Sequence, residues 1–314
     1  MTDYLPLPGT LVNELDTPCI VVDLDIAEAN ITKLQAAANE MGVDVRPHFK
    51  TTKSPYWARK QLAAGAIGIC CAKVGEAEVM VEAGVPDVMI TNQVIGASKI
   101  TRMVALAQAA NVIVAVDDSS NVQQLSEIAS AAGAELGVIV EINVGQDRCG
   151  VDGDGGVELA RQIAASPGLR FDGLMGYEGH IVAERDYETR KTEAEKSMAV
   201  LLGAADQIRI AGIEVKVVSA SGTGTYSITG RIDGVTELQC GSYIFMDGDY
   251  VDVFDDFVPA LSVLATVVSR QREDLAVADL GLKSISIDRG FADVLSPTGA
   301  TIIGHSEEHT KIEL

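Results

Sequence analysis

The feature of this sequence that most constrains its fold is a steady alternation of short apolar runs with amphipathic or alanine-rich stretches. Short apolar runs indicate buried strands, and the stretches between them indicate helices that cover those strands. Eight units of this kind within roughly 200 residues predict an α/β fold of the TIM type, a (β/α)8 barrel. The eight predicted strands are residues 43–48, 67–72, 87–91, 112–117, 136–143, 171–177, 215–220 and 236–240.

An open, doubly wound sheet is the alternative fold for such a pattern. It would usually have fewer strands, and it would often carry a glycine-rich nucleotide-binding turn after its first strand. Here Lys50 stands at that place instead. The connection between the seventh and eighth strands shows no convincing helical pattern, so we expect the barrel to be irregular there.

The segments outside the barrel predict a second, β-rich unit built from both termini. An early strand is predicted at 19–24, and further strands are predicted at 260–269, 275–279, 284–288 and 301–303. We therefore expect the barrel at residues 25–250 and a β-domain at 1–24 and 251–314. The chain ends within a strand-like run at residues 311–314, so we expect the β-domain to be incomplete and C-terminally truncated.

The net charge and the cysteine content limit which binding partners and which cellular compartment we expect for this protein. The net charge of −21 argues against nucleic acid and anionic membrane as partners, because both would repel the protein. No apolar stretch approaches the ~20 residues of a membrane span, and the N-terminus lacks the pattern of a signal peptide. The five cysteines are odd in number and show no CxxC spacing, which indicates reduced thiols and a cytoplasmic protein.

Lys50 is the first candidate for chemistry. It lies in the run Arg-Pro-His-Phe-Lys at residues 46–50, directly after the first predicted barrel strand. A lysine at the mouth of a buried strand is costly to desolvate and can respond by losing its proton. A neutral amine is a nucleophile that forms a Schiff base with a carbonyl or with pyridoxal phosphate. The alternative is a solvated loop cation.

Polar groups follow several other predicted strands. The loops after the seventh and eighth strands read Ser-Ala-Ser-Gly-Thr-Gly-Thr at 219–225 and Cys-Gly-Ser at 240–242, at the place where barrels bind phosphates. Arg148 follows the fifth strand, and Tyr177 and His180 follow the sixth. Each has a plain alternative, since the loops could be turns, Arg148 an ion-pair partner, Tyr177 a core aromatic and His180 a structural residue.

At this point the chain resembles the fold-type III pyridoxal-phosphate enzymes over nearly its whole length. Within them it is similar to the group of D-threonine aldolase, D-3-hydroxyaspartate aldolase and eukaryotic-type D-serine dehydratase, which shares its barrel with alanine racemases. The run Pro47-His-Phe-Lys50 is the most specific part of the resemblance. The matching segments are 15–19, 46–53, 148–150, 221–225, 239–247 and 281–283.

The resemblance implies a role for each site residue. Lys50 would bind pyridoxal phosphate covalently, Arg148 would lie near its phenolic oxygen, and Tyr177 would flank its ring. Gln239 would stand beside the pyridine nitrogen, where an uncharged group leaves that nitrogen unprotonated. The phosphate would be held by Gly222, Thr223, Gly241 and Ser242, with Ser221 among the cofactor-binding residues.

The resemblance also implies a divalent metal (Mn, Mg or Zn), which the family holds with a histidine and an aspartate or cysteine two residues later. That C-terminal segment, beginning Pro-Gly-His or similar, is absent from this sequence. His305 and His309 lie four residues apart, but we do not expect them to bind a metal. No metal ligand is therefore predicted in this chain.

The activity implied is that of a lyase acting on small D-3-hydroxy-amino acids, with retro-aldol cleavage of D-threonine-like substrates to glycine and an aldehyde. His180 is the candidate base where no metal activates the hydroxyl. The alternatives are a D-serine or D-threonine dehydratase, in which Lys50 removes the Cα proton, and an inactive barrel that only binds the cofactor. The family also implies a homodimer.

Overall fold

The computed structural model describes residues 6–314, and its largest sheet is an eight-stranded parallel one. A first strand, β1 (Cys19–Val22), belongs to a separate small sheet. The parallel strands follow one another in the order β2-β9-β8-β7-β6-β5-β4-β3. They are β2 (Asp44–Val45), β3 (Ile69–Cys71), β4 (Asp87–Gln93), β5 (Asn111–Val116), β6 (Leu136–Glu141), β7 (Leu169–Gly176), β8 (Val217–Ala220) and β9 (Glu237–Leu238).

The sheet closes into a barrel between its two end strands, β2 and β3. His48 and Cys70 form a parallel bridge just beyond β2. The Phe49 amide donates to the Cys70 carbonyl at 2.8 Å, and the Cys70 amide donates to the Pro47 carbonyl at 2.9 Å. The predicted (β/α)8 barrel is therefore confirmed, with all eight strands near their predicted positions. The first strand is shorter than predicted because Pro47 has no N–H to donate to a ladder.

Helices connect the strands and cover the outside of the barrel. The link between β8 and β9 holds only the four-residue α8, so the predicted irregularity there is confirmed. No helix in the described part of the chain combines the length and apolarity needed to cross a membrane. The helices are α1 (Leu24–Met41), α2 (Pro55–Ala64), α3 (Val74–Glu82), α4 (Ala97–Leu106), α5 (Ser119–Ala131), α6 (Gly153–Ala165), α7 (Tyr187–Ile210), α8 (Tyr226–Thr229) and α9 (Gly248–Val251).

The first helix, α1, shows how local sequence sets these boundaries. The Asp23 carboxylate accepts the Ile26 amide at 3.0 Å and so caps the helix start, a contact worth ~1 kcal/mol. Ile31 and Leu34 lie on one face and are buried against the barrel. The helix ends at Gly42, whose φ of 74° is left-handed and suits glycine.

The inside of the barrel is packed rather than hollow. A layer of apolar side chains from alternate positions of the strands fills its middle, and one of them, Met175, also lines a cavity at the C-terminal ends of the strands. The members of this layer are Cys70, Met89, Ile113, Ala115, Ile139 and Met175, all at most 3% exposed.

The N-terminal end of the barrel is closed by a buried ionic network. The Arg46 guanidinium lies 3.2 Å from Glu237 and also bonds Asp87. Asn111 donates to Asp87 at 2.8 Å and accepts from Arg170 at 2.9 Å. Asp87 and Glu237 are the first residues of their strands, so this network lies at the end of the barrel opposite its C-terminal loops.

The remaining strands form antiparallel sheets. β1 pairs with β10 (Leu261–Leu264), as predicted for the early strand. The other sheet has the order β11-β12-β14-β13. Its strands are β11 (Val267–Arg272), β12 (Leu275–Ala278), β13 (Thr301–His305) and β14 (Thr310–Glu313).

Two predictions about this region are wrong in detail. The predicted strand 260–269 is two strands, β10 and β11, which belong to different sheets. Residues 284–288 form turns instead of a strand. There the Ser286 hydroxyl donates to the Asp288 carboxylate at 2.9 Å, a local bond of the kind that competes with strand pairing. The predicted domain boundaries at 24/25 and 250/251 stay a prediction, and residues 1–5 lie outside the described residues.

Candidate active site

A cavity of about 240 Å³ lies at the C-terminal ends of the barrel strands. Its lining comes from the ends of β2, β3, β4, β6, β7, β8 and β9. Residues distant in the sequence meet here because parallel strands all end at the same face of a barrel. Nine predicted cofactor-binding residues line it: Lys50, Arg148, Tyr177, Ser221, Gly222, Thr223, Gln239, Gly241 and Ser242.

Lys50 projects into this cavity beside two other predicted site residues. Its Nζ lies 5.7 Å from the centroid of the Tyr177 ring, and the Arg148 guanidinium carbon lies 5.5 Å from the same centroid. Among residues 6–314, no carboxylate lies within ion-pair distance of Lys50. Burial, and then the positive charge of Arg148, lower the pKa of Lys50. A larger fraction of Lys50 is therefore in the neutral, nucleophilic form than for an ordinary lysine at the same pH.

His48 fixes the start of the Lys50 segment. Its Nδ1 accepts the Lys50 backbone amide at 3.3 Å, and its Nε2 lies 3.2 Å from the Thr91 hydroxyl. Burial, and then the charges of Lys50 and Arg148, lower the pKa of His48 to about 3. The ring is thus neutral, and because Nδ1 accepts, Nε2 carries the proton and donates it to Thr91.

Tyr177 presents a protonated phenol to the cavity. Burial, and then the negative charge of Glu178, raise its pKa to about 12. Both cations lie within 6 Å of its ring centroid, a distance at which cation–π attraction acts.

Two small-residue loops form the other side of the cavity, the phosphate loop (residues 221–225) and the 241–242 loop. A Cβ on Gly224 would lie 1.8 Å from the Val182 carbonyl oxygen, and a Cβ on Gly241 would lie 2.9 Å from the Thr51 hydroxyl. Glycine is therefore required at 224, where the neighbour is backbone, and a Cβ at 241 would displace the Thr51 side chain. The amides of Thr223, Gly241 and Ser242 have no acceptor within the described residues. Unused N–H donors on a closely approached backbone fit a phosphate group.

Gln239 lines the cavity as an uncharged group. Its amide nitrogen donates to the Ser219 hydroxyl at 2.7 Å, and Ser219 is fully buried. This bond fixes the side chain and leaves its amide oxygen without a partner among the described residues. Its place beside a pyridine nitrogen stays a prediction.

Sequence reasoning missed several residues of the cavity, of which Glu141 is the clearest. Glu141 is 4% exposed and accepts the Gln93 side-chain amide at 2.6 Å. Burial raises its pKa, so the acid resists ionisation more than an exposed glutamate does. Its signal in the sequence is a carboxylate that directly ends an apolar strand. His48 was also missed, although it lies within the Pro-His-Phe-Lys run.

His180 is exposed and is not among the residues that line the cavity, so its catalytic role stays a prediction. Within residues 6–314, no group of three His, Cys, Asp or Glu side chains is placed to hold a metal ion. His305 bonds the Thr310 hydroxyl at 2.7 Å through Nδ1. The described residues therefore do not fit a metal centre.

The closed barrel, the cavity lysine and the phosphate loop together define a pyridoxal-phosphate enzyme of the alanine racemase-like fold. Residues 22–249 match the family "Alanine racemase, N-terminal domain", and residues 260–314 match "Putative serine dehydratase domain". The chain belongs to the alanine racemase N-terminal domain family, and it is a lyase within it.

Three similar proteins support this assignment. The chain is 39% identical to a D-threonine aldolase from Arthrobacter sp., over 96% of this chain and 81% of that one. It is 38% identical to a 3-hydroxy-D-aspartate aldolase from Paracoccus denitrificans (strain Pd 1222), over 99% and 84%. The crystal structure of D-threonine aldolase from Filomicrobium marinum superposes with a TM-score of 0.95 at 39% identity, covering 98% of this chain and 85% of that one.

Proposed function

We propose that this protein cleaves a D-3-hydroxy-amino acid of the D-threonine type by retro-aldol chemistry, giving glycine and an aldehyde. The single observation that carries the proposal is the meeting of Lys50, Arg148, Tyr177 and the phosphate loop in one cavity. The similarity of the protein to aldolases over nearly its whole chain supports the choice of retro-aldol cleavage.

The residues of the cavity divide the work of holding the cofactor. Lys50 is the covalent attachment point, and its lowered pKa supplies the neutral amine that attachment needs. The amides of Thr223, Gly241 and Ser242, which have no acceptor among the described residues, would hold the phosphate. When bound, pyridoxal phosphate supplies the electron sink that accepts the electron pair of the broken Cα–Cβ bond.

The remaining side chains orient and hold protons. The Arg148 guanidinium lines the cavity and would offer a charge-assisted hydrogen bond to an anionic oxygen of the cofactor. Tyr177 keeps its phenolic proton, because burial and Glu178 raise its pKa. His48 stays neutral at physiological pH, so it orients the Lys50 segment and does not take up protons there.

Cleavage also requires loss of the proton on the substrate's β-hydroxyl. His180 remains our candidate base, and a divalent metal (Mn, Mg or Zn) is proposed on the resemblance alone. Since the described residues do not form a metal centre, we assign no step to a metal.

A dehydratase is the second candidate function. It is favoured by one observation, the match of residues 260–314 to a putative serine dehydratase domain. In that reaction Lys50 would take the Cα proton and the β-hydroxyl would leave, which breaks a C–O bond and leaves the Cα–Cβ bond intact.

The test is to incubate the purified protein and pyridoxal phosphate with D-threonine, with and without manganese, magnesium or zinc. Retro-aldol cleavage yields glycine and acetaldehyde, whereas dehydration yields 2-oxobutyrate and ammonia. L-Threonine and the Lys50→Ala variant are the controls. The proposal predicts glycine from the D-isomer only. Cofactor absorbance without either product set, under every metal condition, would identify a barrel that binds the cofactor without turnover.

We further propose a homodimer in the cytoplasm. The resemblance supports the dimer, and the five free cysteines, all within the described residues, support a reducing compartment. Light scattering on the eluting protein should give twice the chain mass, and a monomer mass would contradict the dimer.

A further inference from the structure

Glu178 is a fully buried carboxylate directly behind the phosphate loop. Its side chain is 0% exposed, and it follows Tyr177 at the end of β7. One carboxylate oxygen accepts the Ser221 backbone amide at 3.1 Å. The other accepts the hydroxyls of Thr225 and Thr229, each at 2.7 Å. Its donors therefore all come from the phosphate loop and from α8, which follows it.

No cation balances this carboxylate among residues 6–314, where no lysine, arginine or histidine lies within ion-pair distance of Glu178. Burying an unpaired carboxylate is costly unless hydrogen-bond donors replace its water. Three neutral donors do so here, which is the arrangement that stabilises a buried anion. The carboxylate and the loop therefore fix each other's positions.

The contacts of Glu178 hold the loop at both of its ends. Ser221 has a φ of 77°, a left-handed conformation that is uncommon for serine and requires support from its surroundings. Its amide is bound to Glu178. At the other end, the Thr225 hydroxyl bonds Glu178 and accepts the Gly222 amide at 3.2 Å. The first two amides of the loop are thus occupied, and the Thr223 amide is left for a ligand.

We propose that Glu178 is a positioning residue that holds the phosphate loop in the conformation that accepts the cofactor's phosphate. It touches neither the reacting atoms nor the cavity, and it acts through Ser221 and Thr225. This inference rests on the cofactor binding that the proposed function requires. It adds that a residue outside the cavity fixes the loop that binds the phosphate.

The experiment compares two ligands that differ only in the phosphate. The affinities of the apoprotein for pyridoxal phosphate and for pyridoxal are measured by absorbance titration, in the wild type and in Glu178→Gln and Glu178→Ala variants. Glu178→Gln places an amide N–H₂ where a donor now points, and Glu178→Ala removes the acceptor. We expect the affinity for pyridoxal phosphate to fall about ten- to a hundredfold, as for lost charge-assisted hydrogen bonds, with pyridoxal affinity unchanged.

Two further variants separate positioning from general stability. Thr229→Val removes one donor to Glu178 but leaves both loop contacts, so the affinity ratio of the two ligands should change less than in Glu178→Gln. Asn121→Ala removes a buried bond to the Val94 carbonyl, outside the cavity lining, and should lower the melting temperature without changing the ratio.

An equal loss of both affinities, or an unchanged affinity for pyridoxal phosphate in folded Glu178→Gln, would overturn the proposal and leave Glu178 a structural residue. If Glu178→Ala does not fold, the nearly isosteric Glu178→Gln and Thr229→Val still decide. The proposed function fails in a different way: the wild type would then bind pyridoxal phosphate without cleaving D-threonine, or would not bind it.

Discussion

The ammonium nitrogen of Lys50 lies 5.7 Å from the ring centroid of Tyr177, although the strands that precede them, β2 and β7, are not neighbours in the sheet. Arg148 approaches the same ring. The ring attracts both cations, but no carboxylate within the described residues pairs with Lys50. Burial, and then the positive charge of Arg148, lower the pKa of Lys50. The site thus stabilises a neutral amine where the cofactor must be attached.

Reduction with borohydride should therefore fix pyridoxal phosphate on Lys50, as peptide mapping can show. Lys53 is close in sequence, but it pairs with Glu76 at 3.3 Å and its side chain is 69% exposed. Lys50→Ala should lose the label and all turnover while keeping the melting temperature, because its side chain projects into the cavity and packs little. Lys53→Ala should keep the label. A label on Lys53 or Lys73 would contradict the assignment.

The pH dependence of cofactor attachment tests the effect of Arg148 on Lys50. Attachment needs the neutral amine, so its rate should rise with pH as Lys50 loses its proton, below the ordinary lysine value of 10.5. Removing Arg148 removes a positive charge that lowers this pKa. In Arg148→Ala the pKa of Lys50 should rise, and the profile should move to higher pH. Stopped-flow absorbance measures the rate, and an unmoved profile would contradict the coupling.

Arg148→Ala should also weaken the cofactor complex more than it weakens the fold. Loss of a charge-assisted hydrogen bond to the cofactor costs ~1.5–3 kcal/mol of binding free energy. Equilibrium titration and thermal unfolding of the apoprotein separate the two effects. A lowered melting temperature with unchanged affinity and rate would show instead that Arg148 is a structural residue.

The barrel and the rim of the site were predictable from the sequence because they depend on local patterns. Apolar runs mark buried strands wherever they occur, and residues that follow such strands share one face of a barrel. Lys50, Arg148 and the phosphate loop could be placed on that face by this reasoning. The strand predicted at 284–288 failed because short polar side chains bonded locally there, which an apolar count does not register.

Glu178 and His48 were not predictable in the same way because their roles depend on tertiary contacts. The donors to Glu178 lie in the phosphate loop and α8, and its burial appears only when β7 and β8 pair. The tautomer of His48 is set by the Lys50 amide that donates to Nδ1, and the Nε2 proton then meets Thr91 on another strand. A sequence shows a carboxylate or an imidazole, and only the fold shows which donors surround it.

The pH profile of turnover should distinguish the two histidines nearest the proposed chemistry. A histidine base must be neutral, so activity falls as pH drops through its pKa. Burial, and then the charges of Lys50 and Arg148, lower the pKa of His48 to about 3, so His48→Asn should change the rate without removing the acid limb of a histidine base. If His180 is the base, His180→Gln should remove that limb. Retention of the limb in His180→Gln would exclude His180 as the base.

Stability should depend strongly on the ion pair at the opposite end of the barrel. Arg46 and Glu237 are 4% and 2% exposed, and Arg46→Met would leave the Glu237 carboxylate buried without its partner. Breaking one side of a buried pair costs about 3–5 kcal/mol of the free energy of unfolding, whereas an exposed pair contributes ~0–1 kcal/mol.

Arg161, which pairs with Glu158 on the surface, provides the matched control. Urea unfolding should therefore show a large loss for Arg46→Met and almost none for Arg161→Met. The double variant Arg46→Met/Glu237→Gln should recover part of the loss, because the fully buried Glu237 charge is then removed and only the partly exposed Asp87 has lost its partner. A loss for Arg46→Met as small as the control's would show that water or a rearranged neighbour replaces the guanidinium.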